Sequence, residues 1–157
     1  MRLLLTLSFF FFVNFCFAQT TVFDNKVEII KTKSGFQLLR NGEPYYVKGG
    51  GGTEHLEVLK NIGGNSIRTW STENAQQVLD DALKNGLTVC MGLWVGHERH
   101  GFDYNDEYAI EAQLKGFEQD IIKYKDHPAL LMWAVGNEVD LFYKNFRVWN
   151  AVEDIAK

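Results

Sequence analysis

The sequence predicts an α/β protein built on a parallel sheet with helices packed outside it. Three observations carry this expectation. Short apolar runs lack the polar alternation of a half-exposed strand, amphipathic helical stretches lie between them, and glycine or proline stands at the junctions. Two architectures fit that pattern, an open doubly wound sheet or a (β/α)8 barrel. The chain has 157 residues, 46% hydrophobic, 14% aromatic and 23% charged, which excludes a wholly disordered, collagen-like or coiled-coil protein. Its net charge of -4 offers no basic surface to nucleic acid or anionic membrane.

Residues 1–18 stand apart from this fold. Met1-Arg2 brings one positive charge, Leu3 to Phe17 is a nearly pure apolar stretch of fifteen residues, and Ala18 precedes the polar Gln19-Thr20-Thr21. A basic start, a short apolar middle and a small residue at the break describe a secretory signal peptide cut after Ala18. The stretch contains Ser8 and Asn14 and is short for a bilayer span. Phe15 before Cys16 is too bulky for lipoprotein processing. The expected location is secreted or periplasmic, with no membrane attachment after cleavage. Residues 19–157 would remain as one domain of 139 residues and net charge -5, with Cys90 its one thiol and no intramolecular disulfide.

Lys26 to Lys33 and Phe36 to Val47 read as strands, with turns at Ser34-Gly35 and at Asn41-Gly42, a hairpin signal. Tyr45 to Gly49 is the first parallel strand, running into the glycine cluster Gly49 to Gly52. Thr53 caps a helix with Leu56, Leu59 and Ile62 on one face, stopped by Gly63-Gly64. Asn65 to Trp70 is the second strand, and its helix carries Ala75, Val78, Leu79, Ala82 and Leu83 up to Gly86. Leu87 to Val95 is the third strand. Asn105 or Asp106 caps the next helix, whose stripe is Ile110, Leu114, Phe117 and Ile121, and His127-Pro128 ends it. Ala129 to Val135 is the fourth strand, and Asn145 to Lys157 begins a further helix. A full barrel needs roughly 250 residues, so this chain holds about half of one. It reads as a fragment, or else as a compact half-barrel that closes by pairing.

In either architecture the site lies at the carboxyl ends of the parallel strands. Asn137-Glu138 follows the apolar fourth strand, where a carboxylic acid at the mouth of an aromatic pocket is suited to general acid work. The alternative is that Asn137, Glu138 and Asp140 only cap the following helix. Trp94 and His97 are candidates for an aromatic platform and a hydrogen bond to a sugar, and Trp70 for a second platform. Trp133 lies inside its strand and is expected in the core. His97, His100 and Asp103 are a weaker candidate metal set without the helical His-Glu-x-x-His spacing. No metal or cofactor is predicted. The glycine cluster lacks the Gly-Lys-Ser/Thr ending of a phosphate loop, and close backbone packing explains it more plainly. Cys90, in an apolar run, reads as a buried inert thiol.

These residues carry a family resemblance. Trp133-Ala134-Val135-Gly136-Asn137-Glu138 looks like the fourth-strand signature of clan A glycoside hydrolases. Phe36 to Pro44 and Tyr46-Val47-Lys48-Gly49 resemble the start of the barrel in glycoside hydrolase family 2. Asn65-Ser66-Ile67-Arg68-Thr69-Trp70 is similar to its second strand, and Tyr124 to Pro128 to the approach to its fourth. The resemblance covers residues 36–140. It implies a (β/α)8 TIM barrel, present here as an N-terminal hairpin and about four β/α units. It also implies a retaining hydrolase of O-glycosidic bonds in oligo- or polysaccharides. Glu138 would be the acid/base, Asn137 would bind the sugar 2-hydroxyl, and Arg68 would orient the nucleophilic carboxylate. That carboxylate comes from a seventh strand in the family, so it is expected to be missing from this chain. The family often has Lys-Gly, a varied residue and Asn after the first strand. Here Lys48 is followed by four glycines and Thr53-Glu54-His55, so the family's sugar contact from that loop is not carried over to this chain.

Carbohydrate is therefore the expected partner, with self-association through exposed half-barrel edges as a further expectation. A transglycosylase would use the same residues. A non-catalytic carbohydrate-binding or decayed half-barrel is the reading from another class, and an unrelated exported α/β domain is a third.

Overall fold

The computed structural model describes residues 25–157. The expected signal peptide and its cleavage after Ala18 lie outside the described residues. The described residues open with an antiparallel sheet of three strands, β1 (Val27–Thr32), β2 (Gly35–Arg40) and β3 (Glu43–Pro44), in that order. The tight turn between β2 and β3 has Asn41 at φ 54° and Gly42 at φ 80°. Two consecutive positive φ values are what a type I′ hairpin requires, and Asn-Gly supplies them cheaply.

The second sheet has four parallel strands: β4 (Gly49–Gly51), β5 (Ser66–Arg68), β6 (Thr88–Leu93) and β7 (Leu130–Val135), in chain order across the sheet. A doubly wound sheet reverses its strand order midway; these four strands do not. Crossovers of one hand along a sheet that grows in one direction place every helix on the same face. Alternate residues of β6, Val89, Met91 and Leu93, point to that face and join its two buried clusters. One cluster gathers Ile67, Val89, Met91 and Leu130 with Leu79 and Ala82 of α2 (Ala75–Lys84) and Tyr124 of α3 (Glu107–Tyr124). The other gathers Leu93, Val95 and Tyr104 with Val148, Ala151 and Ile155 of α4 (Arg147–Ala156). Trp133 packs against both, so it is core, as its position in the strand suggests.

The first parallel strand departs from the sequence reading. Tyr45 to Lys48 forms no ladder, and β4 lies wholly within the glycines. The reason is Asn65, whose side chain accepts from Lys48 N at 2.7 Å and donates to Tyr46 O at 2.8 Å. Those two contacts, with Tyr45 N to Leu38 O and Asn65 N to Lys48 O, take up backbone groups that a regular ladder would use. Gly49 is confined by contact, since a Cβ there would lie 2.6 Å from Ser66 O.

The cap of the first helix, α1 (Leu56–Asn61), is not Thr53. His55 precedes the helix in the left-handed region at φ 56°, with no side-chain cap. Leu56 and Leu59 pack against the core, whereas Ile62 is exposed. On α2 the stripe holds except for the exposed Leu83. Asp106 caps α3, accepting from Tyr108 N at 3.0 Å and Ala109 N at 3.1 Å, which decides between Asn105 and Asp106. Ile110, Phe117 and Ile121 pack against the second cluster, with Leu114 at the exposed margin of the stripe.

The hairpin seals the end of the parallel sheet where its strands begin. Asn25 Nδ2 donates to His127 O and Leu130 O, Arg40 donates to Pro128 O at 2.8 Å, and the Tyr45 hydroxyl donates to Asn65 O at 2.8 Å. The opposite end, where the strands finish, stays open. No helix among the described residues is long and apolar enough to cross a membrane.

Candidate active site at the carboxyl ends of the parallel strands

Three strand ends converge at that open end. Arg68 closes β5, Trp94 and His97 follow β6, and Asn137-Glu138 follows β7. Arg68 Nη2 donates to Asn137 Oδ1 at 3.0 Å. The ring of His97, 5% exposed, lies 2.7 Å from the Asn137 carbonyl through Nε2. A carbonyl only accepts, so Nε2 carries a proton, and Nδ1 is buried with no partner among the described residues. Asn137 is therefore held at its side chain from one strand end and at its backbone from another.

Glu138 occupies a different setting from the enclosed aromatic one the sequence suggests. The chain turns sharply after β7, with Gly136 at φ 75° and Glu138 at φ 51°. That turn swings the carboxylate away from the strand, leaving the side chain 57% exposed and 3.3 Å from Arg99 Nη2. Arg99 lies on a single 3-10 turn, Glu98–His100, and is only 21% exposed.

Two tryptophans border the opening. Trp70 is 42% exposed, 5.8 Å from the Arg68 guanidinium, and its ring lies where a Cβ on Gly51 would come within 3.0 Å. The glycine cluster thus makes room for an indole. Its amides serve the ladder to β5, and Gly52 N donates to Arg68 O at 2.9 Å, so they do not form a phosphate cradle. Trp94, 39% exposed, tilts against His97 at 4.8 Å and stacks on His100 at 6.4 Å. Beneath Arg68, on the face away from the helices, a groove of about 540 Å³ is lined by Gly50, Ser66, Cys90 and Met132 among others. Burial pushes the Cys90 thiol up, with Arg68 opposing in part, which fits an unreactive sulfur.

The structure brings Arg68, Trp70, Trp94, His97, Asn137 and Glu138 to one end of one sheet. His100 stacks on Trp94, Asp103 Oδ1 accepts from Asn105 N, and no three His, Cys, Asp or Glu side chains converge among the described residues. Sequence reasoning missed Arg99 and Glu98. Glu98 Oε2 accepts from the backbone of Lys144 and Asn145, and Arg99 reaches Glu138. Only the two loops' juxtaposition shows either contact.

No family model matches the chain. A β-galactosidase, BoGH2A, from Bacteroides ovatus is 31% identical over 88 residues, 54% of this chain and 10% of that protein. A β-glucuronidase from Paenibacillus borealis is 28% identical over 133 residues, covering 69% of this chain and 22% of its own length. The chain thus spans between a tenth and a quarter of these relatives. Among solved structures, an exo-chitosanase, CsxA, from Amycolatopsis orientalis shares the fold with TM-score 0.56 and 20% identity, over 83% of this chain and 17% of that one. A glycoside hydrolase family 5 protein from Bacteroides vulgatus superposes with TM-score 0.51 and 13% identity, over 82% and 37%. In sequence and in fold, the chain resembles clan A glycoside hydrolases, and among them those of family 2.

Proposed function

We propose that the chain belongs to a secreted retaining glycosidase whose (β/α)8 barrel includes these four strands, and that Glu138 is its acid/base. The observation that carries this reading is the Arg68 to Asn137 hydrogen bond beside Glu138. It joins two strand ends at the open end of a sheet wound in one direction. Enzymes of this architecture work at that end.

Chemistry follows from the groups in place. Arg68 occupies Asn137 Oδ1, which leaves the Asn137 amide N–H to donate to a sugar 2-hydroxyl, a contact that strengthens as the ring flattens toward an oxocarbenium ion. Glu138 gives its proton to the departing glycosidic oxygen and then takes one from the incoming water, or from a sugar hydroxyl if the enzyme transglycosylates. A retaining reaction needs a second carboxylate roughly 5 Å away. In this reading it comes from a strand beyond the four described here. Trp70 and Trp94, half-exposed at the rim, give flat apolar faces for sugar rings. β-Galactosides and β-glucuronides are the first substrates to try, by likeness to the relatives.

The test is Glu138→Gln in the full-length protein. Turnover of phenyl β-glycosides, whose leaving group needs a proton, should fall by about 10²- to 10⁴-fold. Turnover of 2,4-dinitrophenyl β-glycosides, which needs none, should fall far less at the first step. Undiminished turnover of both would sink the assignment. Saccharide binding without turnover in the unaltered protein would favour the non-catalytic carbohydrate-binding reading.

A further inference from the structure

Residues 97, 98 and 99 all grip the same stretch of chain. His97 Nε2 donates to Asn137 O at 2.7 Å, Glu98 Oε2 accepts from Lys144 N and from Asn145 N at 3.0 Å, and Arg99 Nη2 lies 3.3 Å from Glu138 Oε2. Successive residues of one short turn thus fix the start, the carboxylate and the far end of the loop after β7.

We infer that Arg99 is a positioning residue that aims the Glu138 carboxylate. This inference rests on the reading of Glu138 as acid/base. Three observations support it. Glu138 sits at φ 51° in a turn whose backbone is tied by His97 Nε2 to Asn137 O at 2.7 Å and by Leu141 N to Glu138 O at 3.1 Å, so the root of its side chain is fixed. Its side chain is mostly exposed, so core packing does not orient the carboxylate, and among the described residues the charged group paired with it is Arg99. Arg99 in turn is largely covered, which leaves its guanidinium few positions to take. Exposed ion pairs add little to stability, so the value of this pair lies in where it puts an oxygen. The guanidinium holds the carboxylate while leaving its exposed side open to a glycosidic oxygen. It also faces the negative charge that appears on Glu138 once the proton has left.

The experiment compares Arg99→Met and Arg99→Lys with the unaltered full-length protein on phenyl and 2,4-dinitrophenyl β-galactosides and β-glucuronides. Arg99→Met should lower kcat/KM on the phenyl glycosides by roughly tenfold to a hundredfold, as misplaced catalytic groups do. The 2,4-dinitrophenyl glycosides should change by much less, and Arg99→Lys should restore part of the loss. Equal loss on both leaving groups, or no loss, overturns the inference. Glu138→Gln run alongside separates the two failures: if it shows no leaving-group dependence, the acid/base reading has failed rather than the role of Arg99. Crystal structures give a readout that needs no substrate. The Glu138 carboxylate should spread over several rotamers in Arg99→Met, and a carboxylate found unmoved overturns the inference too.

Discussion

Tyr104 has no exposed surface, and its hydroxyl donates to the Gly96 carbonyl at the root of the loop that carries His97 and Arg99. Gly96 N donates to Gln113 Oε1 at 2.6 Å, and a Cβ on Gly96 would overlap the Phe102 ring. The loop therefore leaves β6 at an angle fixed by three side chains, Tyr104, Gln113 and Phe102. Burial pushes the Tyr104 phenol up to about 12. An unfolded tyrosine ionises near 10, so the unfolded chain loses this proton first as the pH rises. The stability that the neutral phenol confers is whole below about pH 10 and is lost as the pH climbs toward 12. Unfolding curves taken across that range, with tyrosinate absorbance recorded in parallel, should show the decline. Tyr104→Phe should flatten it and cost about 1 kcal/mol at neutral pH for the missing hydrogen bond. A decline that the substitution leaves intact would contradict this account.

At the scale of the element, the helices differ in how their first turns are satisfied. Asp106 closes two amides of α3, an eighteen-residue helix that also brings Asp120 to Thr72 Oγ1 at 2.6 Å. Asp106→Ala should therefore cost about 1 kcal/mol, read as a lower urea midpoint at unchanged slope. By contrast α1 and α2 begin at left-handed His55 and Asn74, neither with a side-chain cap. These starts were not legible: His55 is not a usual capping residue, and Asn74, which is one, sits in the left-handed region and makes no side-chain cap. Asp106 is a usual capping residue, and it appeared as one of two candidates. The glycine strand β4 was misplaced for a related reason: strand patterns are read from side chains, and Gly49 to Gly51 have none.

For the whole molecule, the order of opening should follow the packing. β6 lies inside the parallel sheet, pairs on both sides and is buried along nearly all its length. β4 is an edge strand of the described sheet, α1 has no fully buried residue, and the hairpin hangs on a few hydrogen bonds. Amide hydrogen exchange should be slowest in β6 and fastest in α1 and the hairpin, and a slow α1 would refute that order. Much of this architecture was legible, since long apolar runs such as Leu87 to Val95 can only be buried on both faces. The choice between the two α/β architectures was not, because strand order is a property of the assembled sheet. The candidate site was readable only as strand ends: Asn137 and Glu138 follow the apolar run Leu130 to Val135, and Arg68 ends the short strand after Gly63-Gly64. Their partners were hidden by separation, Arg99 and Glu138 being 39 residues apart.

The grip of residues 97 to 99 on the loop after β7 also bears on how such a chain can be recombined. Exchanging either loop alone for one from a relative would strand a carboxylate, a guanidinium or two amides on the loop left behind. The two loops should be transplanted as one cassette. A chimera that moves both should keep the Asn137 and Glu138 geometry that a single-loop graft loses.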